Sequence, residues 1–480
     1  MLMTISELIK RVGGTGVAFS PKRRSNQTRI LTVSFDDSTT FVAKNFERVV
    51  SRIPGVLCYN ALLVTRANRE FANGIVEGGF FDVAATSQSL CDETMLENFD
   101  AVFFAKVPSG FVKLCRERQI LNRPARPLFI GAFPGLEFTP ERGFKNRLLC
   151  DIILFSTTSD RAAFKNMYGE FADDKVLMVG NPTILARYLD RRNAPETSVK
   201  DVVFLTQNIT PNGLGPRLSL LKHLSSQSED NRIVIKARQK KGGTTGHVHK
   251  ELFPYQSIAK LEDISVETIE ASMEEALQSH GRFISCSSTG VLEAGAMGKK
   301  VGFIDTFEGW ERDWVHVASL GYSTRYNLGF DVKRPVSLHS LGERCLDEFA
   351  LRDDNELLSL AEIIQTFPRG KLQTSRRWRV SRTKHVSRSV AIRAYMDAGN
   401  RHMALFQYLR GLVDGALPVP TADFWDSFLG DTADPVGFRK KYIDPVLVAN
   451  TSGVTRPALL HWFMENNHKA VSLGRGLLGG

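Results

Sequence analysis

The sequence predicts an α/β protein made of two parallel-sheet domains, followed by a basic helical extension. Three observations carry that prediction. Short β-branched and aromatic runs alternate with amphipathic helical stretches from residue 28 to 185, and again from 201 to 368. Strands that alternate with helices pair in parallel and are covered on both faces. The stretch ISCSSTGVLEAGAMGKKVGFI, residues 284–304, compresses the unit into one line: strand, hydroxyl-rich turn, helix, strand. At 480 residues the chain also exceeds what one hydrophobic core serves.

Residues 1–27 read as a lead-in with a short helix. TRILTVSF (28–35) is a buried-strand run that stops at Asp36-Asp37-Ser38-Thr39. The helix FVAKNFERVVSRI follows, with Phe41, Val42, Phe46, Val49 and Val50 on one side. Further strands are predicted at 56–64, 100–106, 126–133, 151–156 and 175–180, with a helix over Ser159–Tyr168 among those between them. Gly180-Asn181-Pro182 closes this first domain, 28–185. The polar, Pro-containing stretch 186–200 is the expected linker. The second domain, 201–368, opens on DVVFLTQ and continues through a helix near 216–226, the strand RIVIKAR (232–238) and a helix near 267–279. It then reaches the serine turn and a helix at Leu357–Gln365. Residues 369–480 form the extension.

Composition narrows the function classes. The apolar share of 42% and charged share of 24% are those of a soluble globular chain. No stretch approaches the ~18 uninterrupted apolar residues of a membrane span. Glu7 and Lys10 stand where a signal peptide needs its apolar centre, so a cytoplasmic location is expected. Six cysteines are scattered without a CxxC pair, which fits buried free thiols rather than zinc or a disulfide framework. The net charge of +10 is concentrated: residues 369–402 hold ten Lys/Arg against one acid, Asp397. That segment suits anionic lipid, an acidic polymer or nucleic acid. A solvated helix packed across the two domains explains it equally, and no nucleic-acid motif is present.

In an open parallel sheet, ligands bind beyond the carboxyl ends of the strands. The candidate residues are therefore those that follow each strand. Ser287, Ser288 and Thr289 sit at the start of a helix, where unpaired N–H groups and added hydroxyls suit a phosphate. A simple Ser/Thr cap accounts for part of this turn. Gln207, beside Thr206 and Asn208, ends the strand that opens the second domain. Lys236 and Arg238 point the same way from their strand and can meet a diphosphate or a sugar carboxylate. The loop beyond them, QKKGGTTGHVHKELFPY, carries His247 and His249, which can contact phosphate or act as an acid; a metal would need further ligands that the neighbouring sequence lacks. No cofactor and no metal are expected. In the first domain, Asp37 or Asp36 can take a proton from an acceptor hydroxyl. One of Asp37 and Ser38 can instead be the helix N-cap. Two charge-rich loops, Glu137–Arg147 and Glu308–Trp314, are either solvated faces or rims of a site.

With these residues in place, the chain resembles the GT-B glycosyltransferases, which have two Rossmann-like domains facing a cleft. SSTGVLEAGAMGKKVG looks like their donor-phosphate turn and helix, GNP (180–182) like the end of the first domain, and FLTQN (204–208) like the opening of the second. More closely, DDS, the KAR…GHVHKELFPY loop and SSTGVLEA resemble bacterial glycosyltransferases of capsule and surface-polysaccharide synthesis, distantly the polysialyltransferases. The basic strand has no His-Pro, and Ser38 stands where those enzymes often have Gly. The resemblance implies a metal-independent transfer of sugar from a CMP- or UDP-type donor to a glycan or glycolipid acceptor, acidic acceptors included. It also implies that Glu293 holds the donor ribose. The resemblance does not cover the tail; the charge of 369–402 gives the expectation of peripheral contact with an anionic inner membrane face, and no nucleic acid is expected. Two other classes share these features: a nucleotide-sugar epimerase, and a non-catalytic protein that binds an anionic polymer.

Overall fold

The computed structural model describes residues 27–64, 80–91, 96–118, 120–123, 126–135, 140–193, 197, 199–207, 214–226, 232–237, 253–286, 288–304, 338–367, 388–399, 404 and 407. Twelve strands among them form two sheets, and every strand pairing in both is parallel. The predicted two-sheet α/β architecture is the observed one.

The first sheet starts with β1 (Thr28–Ser34), whose seven residues are all buried. Such a run needs cover on both faces. Helix α1 (Asp37–Val50) supplies one, setting Val42, Phe46, Val49 and Val50 inward and stacking Phe46 on Phe103 at 3.8 Å. β2 (Val56–Leu63), β3 (Val83–Ala85), β4 (Ala101–Phe104), β5 (Leu128–Gly131), β6 (Ile152–Phe155) and β7 (Val176–Val179) complete the order β3-β2-β1-β4-β5-β6-β7. Between them run α2 (Ser109–Glu117), α3 (Pro140–Arg147) and α4 (Thr158–Tyr168). The order reverses between β1 and β4, which makes the carboxyl ends of those two strands the switch point.

Helix α5 (Pro182–Asp190) follows β7, with Asn181 capping it and Pro182 in its first turn. It extends into the predicted linker, where Ala186 and Arg187 continue the face buried at Ile184 and Leu185. The second sheet is β8 (Val199–Leu205), β9 (Ile233–Lys236), β10 (Glu267–Ile269), β11 (His280–Ser285) and β12 (Lys300–Phe303), in the order β10-β9-β8-β11-β12. Its helices are α6 (Leu214–Ser225), α7 (Tyr255–Leu261), α8 (Met273–Ser279) and α9 (Thr289–Ala296). The helix predicted near 267–279 is thus a short edge strand and then a helix. Ser272 and Glu275 divide the two, forming a reciprocal capping box that starts α8.

One apolar cluster runs through both domains. It joins Phe46, Phe103, Ile184 and Leu185 to Phe283, Val291, Leu292 and Met297, with α5 lying against α9. After β12 the chain bridges back through His339 and Val301. It forms α10 (Glu343–Glu348) and α11 (Leu360–Thr366) on the first domain. Glu348 accepts from Ser159 N and Thr158 Oγ1, Glu356 from Val179 N, and Gln365 donates to Thr28 Oγ1. Part of the extension docks there too. In α12 (Arg388–Asp397), the Tyr395 hydroxyl donates to buried Asp160 at 2.9 Å. Ala391, Ala394 and Tyr395 are core residues, while Arg393 is exposed. Residues 388–397 are therefore a helix packed on the first domain, rather than across both; residues 368–387 lie outside the described residues.

All six cysteines are free, and five of them are buried. No helix among the described residues is long and apolar enough to cross a membrane. None of them forms a cluster able to hold a metal ion.

Candidate functional site

The second sheet reverses its order between β8 and β11, so its switch point lies where those strands end. The serine turn is located there. Ser285 is fully buried and donates through Oγ to the Leu205 carbonyl at 2.7 Å, tying the end of β11 to the end of β8. The same oxygen accepts from Ser288 N at 3.3 Å and so folds the turn. Ser288 is the N-cap of α9, its Oγ accepting from Gly290 N at 3.2 Å. A hydroxyl that accepts in this way still has its proton to donate. Thr289 opens the helix beside it, and both residues are half-buried. The turn is therefore a cap and a donor array at once. Ser287 lies outside the described residues.

Two neighbouring strands contribute to the same edge. Thr206 donates from its backbone and its hydroxyl to the Lys236 carbonyl, at 3.2 and 3.1 Å. Lys236 ends β9, with Nζ 3.4 Å from the Ala237 carbonyl. Lys236, Gln207, Ser288 and Thr289 thus stand at the carboxyl ends of three neighbouring strands, β9, β8 and β11. Arg238, His247 and His249 lie outside the described residues, as does the Glu308–Trp314 loop.

Arg217 belongs to this edge, although the sequence reading missed it. Its side chain is almost wholly buried; it donates to the carbonyls of Gln207 at 2.7 Å and Phe253 at 2.8 Å, with its guanidinium 5.0 Å from the Tyr255 ring. Those two carbonyls lie at the end of β8 and just ahead of α7, so one side chain fixes both segments. The available signal was its spacing: Arg217 shares the helix face of Leu220, Leu221 and Leu224.

Glu293 is only 4% exposed, one turn into α9. Its carboxylate meets Arg187 Nε of α5 at 3.4 Å. Burial pushes its pKa up to about 7, with the neighbouring guanidinium pulling the other way. This carboxylate faces the first domain.

At the first sheet's switch point the two aspartates separate. Asp36 is the N-cap of α1: its carboxylate accepts from Thr39 N and Thr39 Oγ1, both at 2.7 Å. Asp37 lies in the first helical turn and is half-buried. The cap expected at Asp37 or Ser38 is thus one residue earlier, because Thr39 is placed to close a reciprocal box with Asp36. Across the switch point, exposed Lys106 holds its ammonium 5.6 Å from the Phe35 ring, just beyond β4 and β1. In the Glu137–Arg147 cluster, Arg147 is a core residue that donates to the Ala132 carbonyl at 2.7 Å and lies over Phe133.

Two parallel sheets with interleaved helices, one of them carrying a hydroxyl-rich helix cap at its switch point, define an α/β protein. Residues 55–313 match the family described as "Putative glycosyltransferase (DUF6716)", and the chain belongs to that family. No curated protein matches it. Among solved structures it is similar to a UDP-GlcNAc 2-epimerase from Neisseria meningitidis bound to UDP-GlcNAc, at 13% identity over 78% of this chain and 99% of that one, TM-score 0.40. It is also similar to a glycosyltransferase from Rickettsia africae, at 10% identity over 79% and 99%, TM-score 0.37. A third is an Anabaena protein in complex with UDP and glucose, at 11% identity over 82% and 100%, TM-score 0.36.

Proposed function

We propose that this protein is a glycosyltransferase that moves a sugar from a CMP- or UDP-type donor to a cell-surface glycan or glycolipid. The observation that carries the reading is the serine turn at the second switch point, flanked by Lys236 and Gln207 on the adjoining strand ends. Ser288, Thr289 and the α9 N-terminus would receive the donor phosphate, with Ser287 beside them. Lys236 and Arg238 would offset the charge that develops on the departing nucleotide, as electrostatic stabilisation in place of a metal. Asp37 would take the proton of the acceptor hydroxyl. The acceptor oxygen then bonds to the anomeric carbon while the bond from that carbon to the phosphate oxygen breaks. Asp36 is the less suitable base, since its carboxylate caps α1. His247 and His249 would contact phosphate or serve as an acid. The charge of 369–402 would favour an anionic membrane surface or an acidic glycan.

The test is a thermal-shift screen of CMP, CDP, UDP, GDP and their sugars against wild type and Ser288→Ala. A nucleotide at about 100 times its dissociation constant should add about 2.7 kcal/mol. Stabilisation by one base, reduced in Ser288→Ala, supports the reading. No response to any nucleotide at millimolar concentration overturns it. Conversion of the donor sugar without an acceptor would favour an epimerase instead.

A further inference from the structure

Helix α9 carries the serine turn at its N-terminus, so whatever fixes this helix fixes the turn. The apolar side of α9 rests on α5 of the first domain, and the polar contact between them is ionic. Arg187, with a side chain 2% exposed, reaches Glu293 on α9 and also Glu274 on α8. The surrounding charges are few and defined. Arg48 of α1 lies 3.8 Å from Glu274 and 2.6 Å from Asp190, and Arg52 pairs with Asp190 at 2.5 Å. Arg187 and Arg48 of the first domain therefore face Glu293 and Glu274 of the second across the joint, while Asp190 pairs with Arg48 and Arg52 on the first-domain side. Glu293 is the deepest of the carboxylates; Glu274 keeps 43% of its side chain exposed.

We propose that Arg187 is a positioning residue: through Glu293 it fixes α9, and with it Ser288 and Thr289, to the first domain. The inference rests on the donor-site reading above and adds a control on that site. A protonated Glu293 keeps its place but loses its charge, leaving Arg187 to Glu274 alone. The hold on α9 then slackens, and the turn is less well aimed at its anion. Because burial lifts the Glu293 pKa to about 7, the change falls within the neutral range.

The experiment measures dissociation constants of UDP, CDP, GDP and CMP for the full chain between pH 5.5 and 8.5, comparing wild type with Glu293→Gln. The phosphate's own second ionisation, near pH 6, affects both proteins alike, so the ratio of their constants is the readout. A ratio near one at pH 5.5 that grows to about fivefold at pH 8.5 is the expected result, equivalent to roughly 1 kcal/mol of coupling. A ratio that does not change with pH overturns the proposal, because a purely structural glutamate gives a constant factor. Arg187→Lys, which keeps one charge but loses the fork, should weaken binding at pH 8.5 and flatten the profile. If Arg187→Lys does not fold, Glu293→Gln decides alone. A wild type that binds none of the four at any pH refutes the donor site itself and the inference with it. A wild type that binds while both variants match it refutes the inference only.

Discussion

Asp36 and Asp37 are neighbours with the same side chain, yet the fold gives them different surroundings: one caps α1, the other lies half-buried in its first turn. Asp36 satisfies the first turn of α1, so Asp36→Ala should cost about 1 kcal/mol, while Asp36→Asn, a good cap, should cost little. Urea denaturation would measure both. Asp37→Asn should leave stability and nucleotide affinity in place and lower turnover by roughly 100-fold or more, as expected when a general base is removed. If nucleotide affinity fell instead, Asp37 would not be the base. Arg217 makes the same point from inside the protein. Arg217→Met leaves the Gln207 and Phe253 carbonyls without this donor, at about 1–3 kcal/mol for each one left unpaired and buried. A melting curve that matched wild type would show that these bonds are dispensable.

At the scale of elements, the regular pieces were legible wherever burial is two-sided. β1, β4, β5 and β6 were legible as strands because each is buried along its whole length. Elements whose neighbours decide their ends were not legible. α5 starts at Asn181-Pro182, read from the sequence as a domain end, and runs on into the expected linker because α9 buries its side. β10, three residues long, is a strand only because β9 accepts it as a partner. The serine turn could be located from its hydroxyls, but not the division of tasks within it: Ser285 joins two strands while Ser288 caps the helix. Likewise, the basic composition of the extension concealed the apolar side of α12. Removing the hydroxyl in Tyr395→Phe takes a donor from buried Asp160 and should cost about 1–3 kcal/mol. Loss of α12 protection in hydrogen exchange would locate the effect.

At the scale of the whole molecule, the joint between the sheets also makes stability depend on pH. The folded protein holds the Glu293 proton up to about pH 7, against an ordinary value of 4.5 in the open chain. The stabilising contribution is therefore complete below about pH 4.5 and is lost as pH rises through about 7. The loss is on the order of 3 kcal/mol, and Glu293→Gln should abolish it. Melting temperatures of the two proteins from pH 4.5 to 8 measure it, and parallel curves would contradict it. Burial of the charge costs more than Arg187 returns, so the pH that tightens the α5–α9 joint also lowers overall stability.

The continuous apolar cluster across α5 and α9 has a consequence for how this chain can be rebuilt. A cut in the connecting stretch near residue 195 would expose Ile184 and Leu185 on one fragment and Val291 and Leu292 on the other. Grafting a foreign sugar-handling half onto this one would then require exchanging α5 together with α9, as a matched pair. Chimeras that respect that seam should express as single species; those spliced near residue 195 alone should precipitate.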